Sequence, residues 1–306
     1  LLQRIINKLY RYPKAKLARV NKFGGYFEYQ KMLRGQKAME LASVDLPPVP
    51  SYPDGLPIYF LTGVKFLYQT LFCIRSLKKH SSNKFKFILV DDGSFSVALI
   101  DRIRKQLPEA EIITKEVIDQ NLEKRLPETK YPTLRKKRRE YPHIKKLIDI
   151  HTLNTGGWKL VLDSDMLFFN DPIEIVTWLK NPSHPLHMMD CQESYGYSRQ
   201  LMEQLCGAKI PKEANVGAIG LNSDTINWTE LENWVTALEE QEGRSYYLEQ
   251  ALSAMLLAGQ DCTVLDKNKY IVNPDEKAIS SGSGILHHYV DLSKKGYYTE
   301  AWRKVI

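Results

Sequence analysis

The residues in this chain best placed to do chemistry are two aspartates, Asp163 and Asp165, in the run KLVLDSDMLFF. The apolar residues before them read as a buried strand, the two carboxylates stand one residue apart at its end, and apolar residues resume at Met166. Charges set among apolar neighbours are generally paired or bound to a cation. Mg²⁺ and Mn²⁺ prefer carboxylate oxygens and can bridge them to a diphosphate. An acidic turn or a helix N-cap would use the same residue type, but apolar flanks on both sides count against a plain surface turn. Asp171-Pro172, just downstream, reads as ordinary capping.

Other polar candidates are spread along the chain. Asp91 and Asp92 open DDGS after the apolar run FKFILV, where a simple turn is the alternative. Lys145 and Lys146 precede the aspartate strand, and a charged helix face explains them equally well. Asp190 ends the apolar run LHMM; Asn215 lies in ANVGAIGL, where a glycine-containing strand with a bulge is the alternative. Glu249 and Gln250 belong to YLEQ, and either could simply project into solvent. The tail ILHHYVDLSKK contributes His287, His288 and Lys294, with a core histidine and a solvated basic end as the plainer reading. Neighbours on a strand point to opposite faces, so at most one of the two histidines can join a site.

The elements that position these residues alternate. Strands are predicted at residues 58–62, 85–90, 110–114 and Trp158–Leu162, and helices at 68–79, 96–106 and 142–153. Strands separated by helices imply a parallel sheet covered on both faces. Ligands of such sheets bind beyond the carboxyl ends of the strands, and both acidic clusters fall there.

LVLDSDMLFFNDP resembles the DxD segment of GT-A glycosyltransferases, above all glycosyltransferase family 8 and its relatives. The resemblance implies the GT-A (nucleotide-diphospho-sugar transferase) fold, an α/β architecture with a Rossmann-like, mostly parallel sheet and helices on both faces. It implies that Asp163 and Asp165 bind Mn²⁺ or Mg²⁺ on the donor diphosphate, with Ser164 between them. YFLTG, containing Thr62, is similar to the first strand and the loop that touches the nucleotide. VDDGS resembles the turn that holds base and ribose, which gives Asp91 and Asp92 that role. ANVGAIGL resembles the Asn-x-Gly strand, with Asn215 near the donor sugar. His288 is followed by Tyr289 and, six residues on, by Lys294, as is the family's third metal ligand by an aromatic residue and a phosphate-binding lysine. His287 lacks that register. The family's glycine and its Lys-Pro-Trp ending are absent. Glu249-Gln250 stands where the family has Asp-Gln at the reactive face of the donor, Asp190 resembles its sugar-contacting aspartate, and Lys145 its basic residue facing the donor. The implied reaction moves a sugar, with a UDP-sugar as the default donor, to a hydroxyl on a sugar, lipid or protein. Family 8 implies a retaining hexosyl transfer, whereas Asp-Asp-Gly-Ser resembles families that invert.

The net charge of +7 favours an anionic partner without choosing one. The run RKKRR at residues 135–139 lacks a nucleic-acid module around it and is expected to be a solvated loop or an electrostatic contact with an anionic acceptor or membrane. No nucleic acid is expected as partner. Tyr195, Tyr197, Tyr246, Tyr247, Tyr297 and Tyr298 could floor an acceptor pocket, although packing explains most of them. Four scattered cysteines without a CxxC pair argue against zinc and fit free thiols. At residues 1–9, apolar residues at helical spacing among Arg4 and Lys8 fit either a membrane-surface helix or one packed on the main domain. With no membrane-spanning run, a cytoplasmic location is expected, peripheral to the inner membrane face if that helix binds lipid. The proline-rich residues 46–57 read as a linker, so residues 1–50 are expected to be a basic helical extension with its linker and 51–306 the catalytic domain. Two rivals share the residues. One is a Mg²⁺-dependent phosphatase of the haloacid dehalogenase type, whose motif normally continues with threonine where Met166 stands here. The other is a catalytically silent nucleotide-sugar or glycan-binding protein of the same fold.

Overall fold

A computed structural model describes residues 11–306; the helix expected at residues 1–9 lies outside them. Strands β1 (Leu56–Thr62), β2 (Phe85–Asp91), β3 (Glu111–Ile113), β4 (Trp158–Leu162), β6 (Leu186–Met189), β7 (Ala214–Asn222) and β8 (Thr263–Leu265) form one sheet in the order β3-β2-β1-β4-β7-β6-β8. The pairs β1–β2, β1–β4, β2–β3 and β6–β8 are parallel. β7 runs antiparallel between β4 and β6, so the sheet is mostly, not wholly, parallel.

The period of two along each strand builds two apolar layers. Ile58, Phe60, Phe87, Leu89, Leu160 and Leu162 face one layer, covered by helices Leu67–His80, Val97–Gln106 and Ile173–Lys180. Tyr59, Ile88, Val90 and Val161 face the other, under helices Lys115–Arg125, Lys145–His151, Trp228–Glu242 and Leu248–Leu256. Burying both faces is why these strands read as near-continuous apolar runs.

A second, three-stranded sheet consists of β5 (Met166–Phe168), β10 (Leu286–His288) and β9 (Tyr270–Val272). β10 lies antiparallel to β5 with His288 opposite Met166. This register carries the tail of the chain back to the residues just after Asp165.

Three expectations need correction. RKKRR is not a solvated loop; it lies in the helix Pro132–Glu140, and Lys137 is buried. The helix expected over 142–153 is a 3-10 turn, Pro142–Ile144, followed by Lys145–His151, because Pro142 can open a turn but cannot donate within one. The 46–57 segment is less a free linker than a strap. Leu46 and Val49 are buried, and the amides of Val49 and Ser51 donate to the carbonyls of Gln106 and Pro108 at 2.9 and 2.8 Å. Strand boundaries otherwise differ from expectation by two residues or fewer, at β1, β2 and β3.

Candidate active site

The site is built where β4 ends. Asp163 leaves the main sheet with its amide donating to the Gly217 carbonyl of β7 at 2.7 Å, and the Asp165 carbonyl accepts from the Tyr289 amide after β10 at 3.0 Å. Two sheets therefore hold the DxD loop from either side. Asp163, Asp165 and His288 each offer a ligand atom, and these atoms lie within 4.8 Å of one another. His288 Nε2 stands 3.6 Å from Asp163 Oδ2 and 3.4 Å from Asp165 Oδ1.

The network behind His288 fixes the hydrogen on its Nδ1. Asn215 Oδ1 accepts the Gly217 amide at 2.9 Å, and Asn215 Nδ2 donates to Asp190 Oδ2 at 3.0 Å, which sets the orientation of the amide. His288 Nδ1, 3.0 Å from the same Asn215 oxygen, must then donate to it. A neutral imidazole held this way presents the lone pair of Nε2 toward two carboxylates. Three electron-rich groups facing one another fit a hard cation between them, and this second layer of bonds is what orients a metal-ligating histidine. Gly217 has to be glycine here, since a Cβ would fall 2.4 Å from the His288 ring.

Two lysines flank the carboxylates. Lys146 Nζ donates to Asp163 Oδ1 at 3.0 Å and to the Val216 carbonyl at 2.9 Å, and lies 3.7 Å from Glu249. Burial alone would lower the Lys146 pKa, but Asp163 and Glu249 outweigh it and hold the ammonium above its ordinary value. Lys294 donates to Asp165 Oδ2. Burial would raise the Asp165 carboxyl, yet Lys294 beside it holds it well below the usual carboxylate range. Glu249 behaves in the opposite way. Its burial pushes it up to about 7, against the pull of Lys146 and with a further push from Asp163.

The remaining expected residues fall into three groups. Asp190, Asn215 and Gln250 are bonded together, since Gln250 Nε2 donates to the same Asp190 oxygen at 3.0 Å. Thr62 is fully buried and reaches the DxD loop only through a relay of hydroxyls, 2.8 Å to Thr70 and then 2.9 Å from Thr70 to Ser164. Asp91 spends Oδ1 on the amides of Gly93, Ser94 and Phe95, leaving Asp92 as the more exposed acid of that turn. Lys145 donates to the Asp92 carbonyl at 2.6 Å. Of the two adjacent lysines, then, Lys145 serves the acidic turn and Lys146 the carboxylate cluster.

His287, on the opposite face of β10, is packed against Phe169 and Tyr289 and bonded to the Ser283 carbonyl. Tyr195, Tyr197, Tyr297 and Tyr298 are buried, so of the six tyrosines only Tyr246 and Tyr247 are exposed. Sequence reading gave no role to Thr70, which has no local signal. A cavity of about 620 Å³ beside Trp158, Glu230 and Trp234 opens at the other end of β4 and includes none of these groups. It has the volume of a ligand pocket but not the chemistry.

No protein-family model and no curated protein matches the chain. Among solved structures it resembles mouse xyloside xylosyltransferase 1 in the apo form, with a TM-score of 0.50 and 13% identity, over 79% of this chain and 98% of that one. It also resembles the bifunctional glycosyltransferase WbbM in its apo structure, with a TM-score of 0.51 and 11% identity over 85% of this chain. The likeness spans 52% of WbbM's own length. At this identity the likeness speaks for fold alone, and the fold is GT-A.

Proposed function

We propose that this chain is a metal-dependent glycosyltransferase that moves a hexose from a nucleoside-diphosphate sugar, UDP-linked by default, to a hydroxyl acceptor with retention at the anomeric carbon. The observation that carries the reading is the convergence of Asp163, Asp165 and His288 at the carboxyl end of β4. The donor set of two carboxylates and one imidazole suits Mn²⁺ or Mg²⁺. Bound there, the cation supplies Lewis-acid neutralisation of the diphosphate as the glycosidic bond breaks.

The chain's own groups do the rest. Lys294, paired with Asp165, brings an ammonium to the leaving diphosphate. Asp91, Asp92 and Lys145 form the turn for base and ribose, with Thr62 and Ser164 behind the diphosphate. Asp190, Asn215 and Gln250 form a bonded polar wall suited to sugar hydroxyls. Glu249, with its pKa near 7, can hold or release a proton at the reactive face. The GT-A likeness favours this reading over a phosphatase. In this proposal residues 51–306 are the catalytic unit and residues 1–50 an extension.

A thermal-shift series tests it. UDP at about a hundred times its dissociation constant should stabilise the protein by roughly 2.7 kcal/mol with Mn²⁺ present and hardly at all in excess chelator. An equal shift under both conditions would overturn the metal-dependent site.

A further inference from the structure

The net charge of the chain is concentrated in one segment. Residues 1–42 hold ten basic and two acidic residues, whereas the rest of the chain holds 33 basic and 34 acidic. The whole positive surplus therefore belongs to the N-terminal segment.

From residue 11 this segment is a helical hairpin, Tyr12–Lys22 and Tyr26–Ala42, turned at Gly24 and Gly25, both in the left-handed region at φ 89° and 93°. The second helix is anchored on one side. Met32, Gly35 and Met39 are buried, Lys295 pairs with Glu28 at 2.8 Å, and a Cβ at Gly35 would run into the Tyr298 carbonyl. At the turn, Lys22 pairs with Asp291. The other face of that helix shows Phe27, Lys31, Arg34 and Leu41 at helical spacing, all exposed, Phe27 at 82%. Tyr26 is exposed beside Phe27, their rings edge-on at 5.8 Å.

The first helix is exposed at every position from Pro13 to Arg19, with Leu17 at 61%. A helix of this length is marginal in water without a surface to lie on. Arg11, Lys16, Arg19, Lys31, Arg34 and Lys37 form no ion pair among the described residues, unlike most of the basic helix Pro132–Glu140.

We infer that this hairpin is a docking surface for an anionic lipid bilayer. Basic side chains gain from the phosphates of the headgroups, and the interleaved Leu17, Tyr26, Phe27 and Leu41 gain from the boundary with the acyl chains. A nucleic-acid backbone would reward the first set and leave the second in water. The hairpin rests on the helix Lys294–Thr299, whose first residue pairs with Asp165, so docking holds the candidate site at a set orientation to the lipid. The inference stands apart from the transferase reading, because lipid binding needs no donor or metal.

Cosedimentation of the full chain with vesicles tests it. Phosphatidylcholine vesicles containing phosphatidylglycerol should bind the protein, pure phosphatidylcholine should not, and high salt should release it. The triple variant Lys31→Glu, Arg34→Glu, Lys37→Glu should lower the partition constant about 100-fold or more. Phe27→Ser should lower it roughly tenfold. The control Lys105→Glu, Lys124→Glu, exposed elsewhere, should bind as the parent does. Melting temperatures within the range of the parent show that the losses are not unfolding. Equal binding to neutral vesicles, equal loss in the control, no binding to either vesicle, or tight binding of duplex DNA in place of vesicles would each overturn the proposal.

Discussion

The helix Pro132–Glu140 and the cluster at the end of β4 are both dense in charge. In the helix four of the five basic residues of RKKRR are answered by an acid of the fold: Arg135 by Glu123, Lys137 by Glu239, Arg138 by Asp149, Arg139 by Glu128. In the cluster two carboxylates, an imidazole lone pair and a buried glutamate share two lysines, one of them split between Asp163 and Glu249. The first arrangement closes its electrostatics within the fold, and the second leaves room for a ligand cation. Runs of charge in a sequence therefore say little until their partners are known. A surplus that the fold itself does not neutralise is the more informative sign.

The sharpest test of the closed region is Arg138→Ala. Asp149 is fully buried, and Arg138 Nε donates to it at 2.5 Å. Burial keeps the Asp149 carboxyl above its ordinary range even with Arg138 opposing, so the pair is costly to split rather than strongly stabilising. Removing one partner of such a pair typically costs 3–5 kcal/mol, about the loss expected in urea denaturation. A loss under about 1 kcal/mol would show that the fold does not depend on closing this pair.

The same helix, Lys145–His151, supplies a pH test. His151 is buried, its Nδ1 2.8 Å from Ser223 Oγ, and burial lowers it from 6.5 to about 3. The unfolded imidazole takes up a proton as pH falls below 6.5 while the folded one stays neutral. Stability contributed above 6.5 is then lost progressively toward pH 3. His151→Gln should flatten that part of the stability–pH curve, and an unchanged slope would remove His151 as its source.

For the open region, Asp165→Asn should leave circular dichroism and melting close to native while donor turnover falls roughly 10²–10³-fold, the scale for losing one preorganised electrostatic contact. Native donor hydrolysis in a folded variant would refute the assignment. Asn215→Ala removes the acceptor that orients His288, together with the bonds to the Gly217 amide and Asp190, and should weaken Mn²⁺ about 10–100-fold. His287→Ala should leave Mn²⁺ affinity unchanged and lower stability instead, because its ring is packed on Phe169.

How much of this was legible follows from distance along the chain. The strand WKLVL and its aspartates are contiguous, so local pattern located them. The tail register of His288 and Lys294 could be matched as a motif, although the contact with Asp165 spans 129 residues. Lys146 could not be preferred over Lys145 in the same way. Adjacent helical residues point about 100° apart, and the helix phase depends on where the Pro142–Ile144 turn ends. The counter-ions of the basic helix, such as Glu239 for Lys137, lie too far away for local charge pattern to reveal them. Thr70, which bonds Ser164 across 94 residues, has no signal short of the fold.

The smallest effect refines the comparison from within the basic helix. Arg139 and Glu128 form a two-pronged pair at 3.0 and 2.8 Å, geometrically as good as that of Arg138 with Asp149. Both side chains are about half exposed, at 53% and 51%, so water already solvates each charge. Each lowers or raises the other's pKa in the stabilising direction through the hydrogen bond, but screening leaves little of that as folding energy. Arg139→Ala should therefore cost far less than Arg138→Ala in the same denaturation experiment, with the effect vanishing at high salt. A double-mutant cycle with Glu128→Ala isolates the pair. A coupling as large as the loss in Arg138→Ala would mean that geometry rather than burial sets the value of these pairs, and the contrast between closed and open regions would have to be redrawn on that basis.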